Sequence, residues 1–333
     1  MASREQQLTS WLNSVLGDDS YAIAPASADA SFRRYFRITL NDHSLIVMDA
    51  PPSHEDCAPF VHVSEVFSQA GLHVPQVLEK DLAQGFLLLT DLGDITYLAA
   101  ISEGRLAVND LYRDAYLALV KLQGASKKNV FPDYDKALLT REMQLFPDWY
   151  IAKHLQLELG SDQQQVLQDV FERLNRNILG QTQVYVHRDY HSRNLMVCDM
   201  NPGVLDFQDA VLGAITYDLV SLLKDAYVHW EEEQILDWAV RYWQAAKKAG
   251  LQVPLDFADF YRDFEWMGVQ RHIKILGIFA RLYHRDGKDG YLKDMPLVMH
   301  YLRAACGRYR ELMPLLKLLD QLEGKQSAVG YTF

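Results

Sequence analysis

The residues best equipped for chemistry stand in one short run, Val184-Tyr-Val-His187-Arg188-Asp189-Tyr190-His191-Ser192-Arg193-Asn194-Leu195-Met196-Val197. Apolar β-forming segments flank a polar loop. Further on, Val204-Leu205 leads into Asp206-Phe207-Gln208. A carboxylate at 189 can orient a hydroxyl or accept its proton. The amide of Asn194 and the carboxylate of Asp206 offer hard oxygens of the kind Mg²⁺ prefers. His187 opens the loop and suits a scaffold that hydrogen-bonds backbone. A plain polar turn between two buried strands would need none of these residue types at these offsets.

The order H-R-D-x-x-x-x-N followed by D-F is the catalytic-loop pattern of kinases. Phosphoryl transfer asks little covalent help of the protein. It needs the hydroxyl placed in line, its proton accepted and the phosphate charge neutralised. On this reading Asp189 is the catalytic carboxylate, and Asn194 and Asp206 hold Mg²⁺ that also binds the phosphates of ATP. A protein kinase is disfavoured, because Asp206-Phe207 continues with Gln208 and there is no A-P-E segment.

These residues need elements to position them. Leu8, Trp11, Leu12, Val15 and Leu16 recur at helical spacing within 5–16. Residues 32–40 and 44–48 read as a β-hairpin across Asn41-Asp42-His43. A helix at 58–70 and strands at 74–78 and 85–90 follow. Beyond Leu92 the pattern turns helical, at 105–123, 137–159 and 162–178. A β-rich island at 183–208 interrupts it before helices at 215–229, 231–248, 257–283 and 296–321. The expected fold class is α+β and bilobal, with a β-rich nucleotide-binding N-lobe over 1–92 and a mainly helical catalytic and substrate-binding C-lobe over 93–333.

The 333 residues carry 44 acidic and 33 basic side chains, a net charge of −11. That field disfavours nucleic acid and anionic lipid as partners. Three widely spaced cysteines make neither a disulfide framework nor a metal motif. No signal core or membrane-spanning run is visible, so the expectation is a cytoplasmic protein, acting as a monomer on a small molecule.

With the loop and its surroundings read, the chain resembles the aminoglycoside phosphotransferase and choline kinase superfamily, small-molecule kinases with a protein-kinase-like fold. Two segments, Ala28-Asp-Ala-Ser31-Phe-Arg33-Arg34-Tyr-Phe-Arg37 and Gln270-Arg271-His-Ile-Lys274-Ile-Leu-Gly277-Ile-Phe-Ala-Arg281, resemble one subfamily. It comprises the anomeric N-acetylmuramate and N-acetylglucosamine kinases of Gram-negative cell-wall recycling. The resemblance implies transfer of phosphate from ATP to the sugar's C1 hydroxyl, giving an α-1-phosphate; the alternatives are another small-molecule kinase of the superfamily, or a non-catalytic nucleotide-binding pseudokinase. It also implies Asp189 as the catalytic Asp, Asn194 and Asp206 as Mg²⁺ ligands, and a hinge at 88–92, including Leu89, Asp91 and Leu92, whose backbone meets adenine. Asp218 resembles the superfamily's buried structural Asp.

Two departures follow from the pattern. The strand expected to read V-A-I-K reads Leu45-Ile-Val-Met48-Asp49, so Met48 replaces the phosphate-binding Lys. Its usual Glu partner is also displaced, since the helix at 58–70 offers only Glu65. Arg33 and Arg34 stand where the glycine-rich loop would be, and their guanidiniums suit phosphate oxygens. Ser31 and its small neighbours would allow close backbone approach. For the amino sugar, Trp149 offers a stacking face and Glu142 a hydroxyl acceptor, although a helix core explains both equally. Arg271 suits a lactyl carboxylate, or else an internal salt bridge.

Overall fold

The structure is a computed structural model that describes residues 3–17, 20–28 and 32–324. In chain order it contains α1 (Arg4–Leu16), β1 (Ala22–Ala28), β2 (Arg34–Thr39), β3 (Ser44–Asp49), α2 (Ala58–Gln69), β4 (Val77–Asp81), β5 (Phe86–Thr90), α3 (Tyr97–Ser102), α4 (Val108–Gly124) and α5 (Lys136–Met143). A π-helical segment spans Phe146–His154. After it come α6 (Ser161–Gly180), β6 (Gln183–Val186), β7 (Leu195–Met196), β8 (Gly203–Val204), β9 (Val211–Ala214), α7 (Tyr217–Leu223), α8 (Glu232–Lys248), α9 (Phe257–Asp286), α10 (Met295–Arg308) and α11 (Met313–Leu322). The chain forms two compact units, residues 1–122 with 193–209, and residues 123–192 with 210–333.

The first unit is built on an antiparallel sheet of order β1-β2-β3-β5-β4. Alternation along the strands sends Ile38, Val47, Phe86 and Leu88 to one face, where α1 buries Leu8, Trp11 and Leu12 against them. Met48 and Leu87 are cross-strand partners on the opposite face, and both are buried. Strand β1 was not expected from the sequence. Its residues, Ala-Ile-Ala-Pro-Ala-Ser-Ala, are weak strand formers, and Pro25 is tolerated because β1 is an edge strand with a bulge beside that proline. On α2, Phe60 and Phe67 meet the ring of Phe207 at 4.8 and 5.9 Å, which brings 193–209 into this unit.

The second unit is helical around α9, with β6 and β9 as a two-stranded ribbon. Every residue from Met267 to Gly277 on α9 is buried, as expected of a helix surrounded by others. Three of the expected helices are interrupted. The one at 137–159 breaks after Met143, because Pro147 supplies no N–H and the π-helix starts beside it. The backbone of α9 passes so close there that a Cβ on Gly277 would lie 2.4 Å from the Leu145 carbonyl carbon. Helix α7 stops at Leu223, where the buried Asp225 carboxylate takes the N–H groups of Ser192 and Tyr227 and turns the chain. The last expected helix divides before Pro314 into α10 and α11.

Candidate active site

In the second unit, β6 delivers His187, Arg188 and Asp189. The Asp218 carboxylate, fully buried at the start of α7, accepts the backbone N–H groups of His187 at 2.6 Å and Arg188 at 3.0 Å. His187 Nδ1 accepts the N–H of Asp189 at 3.2 Å, the scaffold role its position implies. Arg188 adopts a left-handed backbone at φ 79°, which a non-glycine residue keeps only when its surroundings enforce it. Its carbonyl accepts from Arg271 Nη1 at 2.7 Å, and its guanidinium pairs with Glu142.

Charges converge behind Asp189. Arg271 Nη2 lies 3.8 Å from Asp189 Oδ1. Lys274 Nζ lies 3.1 Å from Glu142 Oε1 and donates to the Tyr217 hydroxyl at 3.0 Å. Arg271 donates to that same hydroxyl at 3.1 Å, and the Tyr134 hydroxyl donates to the second oxygen of Glu142. The Asp189 side chain is 44% exposed, whereas those of Arg271 and Lys274 are 5% and 7% exposed. The protein packed around its inner side works to raise the Asp189 carboxyl, but Lys274, Arg271, His191 and Arg188 outweigh that partial desolvation and hold the group down at about 2. Burial takes Asp218 up to about 7, against the stabilising N–H groups of His187 and Arg188. Asp189 is therefore an anion throughout the neutral range and a weak base, better suited to orienting a hydroxyl than to holding its proton in the ground state.

In the first unit, β7 and β8 pair Leu195 with Val204 and Met196 with Gly203. The Leu205 N–H closes onto the Asn194 carbonyl at 2.9 Å. This small hairpin brings Asn194 Nδ2 to 3.2 Å from Asp206 Oδ2, while Gln208 Nε2 donates to Oδ1 at 2.9 Å. Asp206 also has a left-handed backbone, φ 62°. Turning the Asn194 amide over would set its Oδ1 beside the carboxylate, and two such oxygens fit a hard divalent cation.

The two arginines of the N-terminal segment part company. Register pairs Arg34 with Asp49, and the Arg34 guanidinium grips the buried Asp49 carboxylate together with Arg4. Arg33 lies instead 3.7 Å from Glu55, which precedes α2. Glu65 is exposed on α2. Met48 is buried in the sheet. At the hinge, Leu89 and Leu92 are buried, and the Asp91 side chain is occupied by Arg37, Ser44 and the Gly93 N–H. Ser31 lies outside the described residues. Glu142 is buried, with Arg188, Lys274 and Tyr134 around its carboxylate. Trp149 is half-buried on the π-helix.

Lys274, Tyr217, Tyr134, Asp225 and Glu55 were not singled out from the sequence. Lys274 had a signal: it is a lone cation inside His272-Ile-Lys-Ile-Leu-Gly-Ile-Phe279, three residues after Arg271 and so on a neighbouring face.

Known proteins share this arrangement of sheet, helices and loop. The phosphotransferase enzyme family matches residues 22–255, and the chain belongs to that family. Its fold is the protein-kinase-like one: an ADP-bound aminoglycoside phosphotransferase superposes with a TM-score of 0.56 at 16% identity, over 89% of this chain and 97% of the other. More specifically, the chain is 49% identical to the N-acetylmuramate/N-acetylglucosamine kinase of Neisseria meningitidis serogroup B, over 99% of both chains. It is 48% identical to the protein of the same name from Pseudomonas aeruginosa, over 96% of this chain and 97% of that one. The chain is thus a kinase of the phosphotransferase enzyme family.

Proposed function

We propose that this kinase transfers the γ-phosphoryl group of ATP to the anomeric hydroxyl of N-acetylmuramate and N-acetylglucosamine, in peptidoglycan recycling. The observation that carries the reading is a solvent-reachable Asp189 carboxylate on a loop braced by Asp218 and Arg271. The names of relatives at 49% and 48% identity supply the substrates. The C1 hydroxyl oxygen attacks the γ-phosphorus, the bond from that phosphorus to the β,γ-bridging oxygen breaks, and ADP leaves. Asp189 aligns the hydroxyl and receives its proton as the oxygen–phosphorus bond forms. Mg²⁺, when bound, neutralises the phosphate charge, and Asn194 and Asp206 are the residues that would hold it.

Of the two arginines, Arg33 is the candidate for the phosphate cation in place of Met48, because its contact with Glu55 is the looser, at 3.7 Å, whereas Arg34 hydrogen-bonds the buried Asp49. The hinge backbone around Leu89 to Leu92 takes adenine. Trp149 remains the candidate sugar-stacking face. Among the described residues no helix is long and apolar enough to cross a membrane. Use of ATP, with three free cysteines, suits a reducing cytoplasm.

The test is incubation with Mg-ATP and each sugar, followed by phosphorus NMR. A phosphate at C1 is expected, and no turnover of the 1-O-methyl glycosides. Asp189→Asn should bind nucleotide normally and lose turnover about a hundredfold or more. Phosphate at C4 or C6, or full activity of Asp189→Asn, would refute the reading.

A further inference from the structure

Arg188 carries a left-handed backbone immediately before the catalytic carboxylate. Its N–H, its carbonyl and its guanidinium are each met by a different element. Asp218 on α7 takes the N–H, Arg271 on α9 donates to the carbonyl, and Glu142 on α5 pairs with the guanidinium. Lys274 sits three residues after Arg271 on α9 and pairs with the same Glu142 oxygen, Oε1, that Arg188 meets. The Tyr217 hydroxyl accepts from both cations. Buried cations without compensation are costly. Here Glu142, Asp189, the Arg188 carbonyl and Tyr217 compensate the charges of both, while the buried Arg271 Nε has no hydrogen-bond partner.

We propose that Arg271 and Lys274 are positioning residues for Asp189, which fix the Arg188–Asp189 peptide through its carbonyl, Glu142 and Tyr217, and that neither reads the sugar. The inference rests on Asp189 being the carboxylate that faces the acceptor hydroxyl. It reassigns Arg271, whose sequence position also suits a lactyl carboxylate. A strained peptide persists only while its surroundings over-determine it, and a misplacement near 1 Å is enough to cost about a hundredfold in rate. The groups around Asp189 are Arg271 and Lys274 from α9, Arg188 and His191 from its own loop, and Asp218 from α7, with Glu142 from α5 behind them.

The experiment compares Arg271→Gln, Lys274→Met and Lys274→Arg with the parent on both sugars, alongside nucleotide affinity and thermal unfolding. Arg271→Gln and Lys274→Met should lower kcat about 30- to 100-fold. The loss should be equal for N-acetylmuramate and N-acetylglucosamine, with KM for either sugar and Kd for ADP changed less than about threefold. Lys274→Arg should recover most of the rate. The acid limb of kcat should move to higher pH in Lys274→Met, since Asp189 loses a neighbouring cation. Unchanged kcat, a loss confined to KM, or a loss confined to N-acetylmuramate would overturn the proposal. Should the α9 variants not fold, Tyr217→Phe removes only the bridging hydroxyl; it should cut kcat severalfold, and full kcat would overturn the proposal. Should the parent phosphorylate neither sugar, the substrate reading fails by itself. The same variants are then scored on ATP hydrolysis, with water in place of the sugar hydroxyl, where the same fall is expected and full hydrolysis in the variants overturns the positioning role.

Discussion

Replacing Glu142 with Gln should destabilise the second unit more than any exposed charge change. The side chain is 9% exposed and faces Arg188, Lys274 and the Tyr134 hydroxyl. Gln keeps the shape and removes the charge, leaving the buried Lys274 and the part-buried Arg188 short of their anion. Breaking a buried pair from one side costs about 3–5 kcal/mol. At about 2–4 °C per kcal/mol for a unit of this size, the melting temperature should fall by roughly 6–20 °C. The control is Glu172→Gln, which removes the partner of Lys136 in a pair more than half exposed on both sides. Exposed pairs contribute only about 0–1 kcal/mol. Urea unfolding followed by circular dichroism at pH 7 measures both. The pH dependence supplies a second check. Burial works to raise the Glu142 carboxyl, but Lys274, Arg188 and Tyr134 hold it below its ordinary 4.5. A depressed carboxyl stabilises the fold above its unfolded value, and that contribution fades as pH falls through the folded one. The gap between parent and variant should therefore be full at pH 7 and shrink below about 4.5. A variant within about 1 kcal/mol of the parent at pH 7, or a gap that widens in acid, would refute the argument.

Three further outcomes are expected. Asp206→Ala should lose the Mg²⁺ dependence of ATP binding, measured by titration calorimetry with and without chelator, because a hard carboxylate ligand is gone. Arg33→Ala should raise KM for ATP or lower kcat about tenfold or more, whereas Arg34→Ala should lower the melting temperature with KM for ATP little changed, since it releases one of two cations on Asp49. Gly277→Ala should destabilise by about 1–3 kcal/mol or more, read by thermal unfolding, because its methyl would press on the Leu145 backbone.

The candidate loop was legible in the sequence because its geometry is local. Asp189, Asn194 and Asp206 fall within one stretch, and the β7–β8 hairpin that joins Asn194 to Asp206 runs only from Leu195 to Val204. The sheet was legible where Val, Ile, Phe and Leu alternate, and hidden in β1, where Ala and Ser do not announce a strand. What stands behind the loop was not legible. Lys274 meets Glu142 across more than a hundred residues of chain, and nothing local to either declares the pairing. Arg33 and Arg34 were equivalent on paper; strand register separates them by pairing Arg34 with Asp49. Glu55 went unnoticed because the kinase pattern directs attention into the helix that begins after it.

The way the chain returns to its first unit has a consequence for synthesis. Residues 1–122 leave the ribosome long before 193–209, which complete the same unit. At about 5–20 residues per second, the nascent sheet and helices wait about 4–17 s for their missing piece. Until then Phe60 and Phe67 lack the ring of Phe207 that both meet in the finished fold. An early portion of the chain thus spends seconds with an open apolar patch, while the intervening 70 residues are still emerging. Nascent-chain proteolysis should find the N-terminal portion protease-sensitive when translation is arrested shortly after residue 122, and protected only once residue 209 has cleared the exit tunnel.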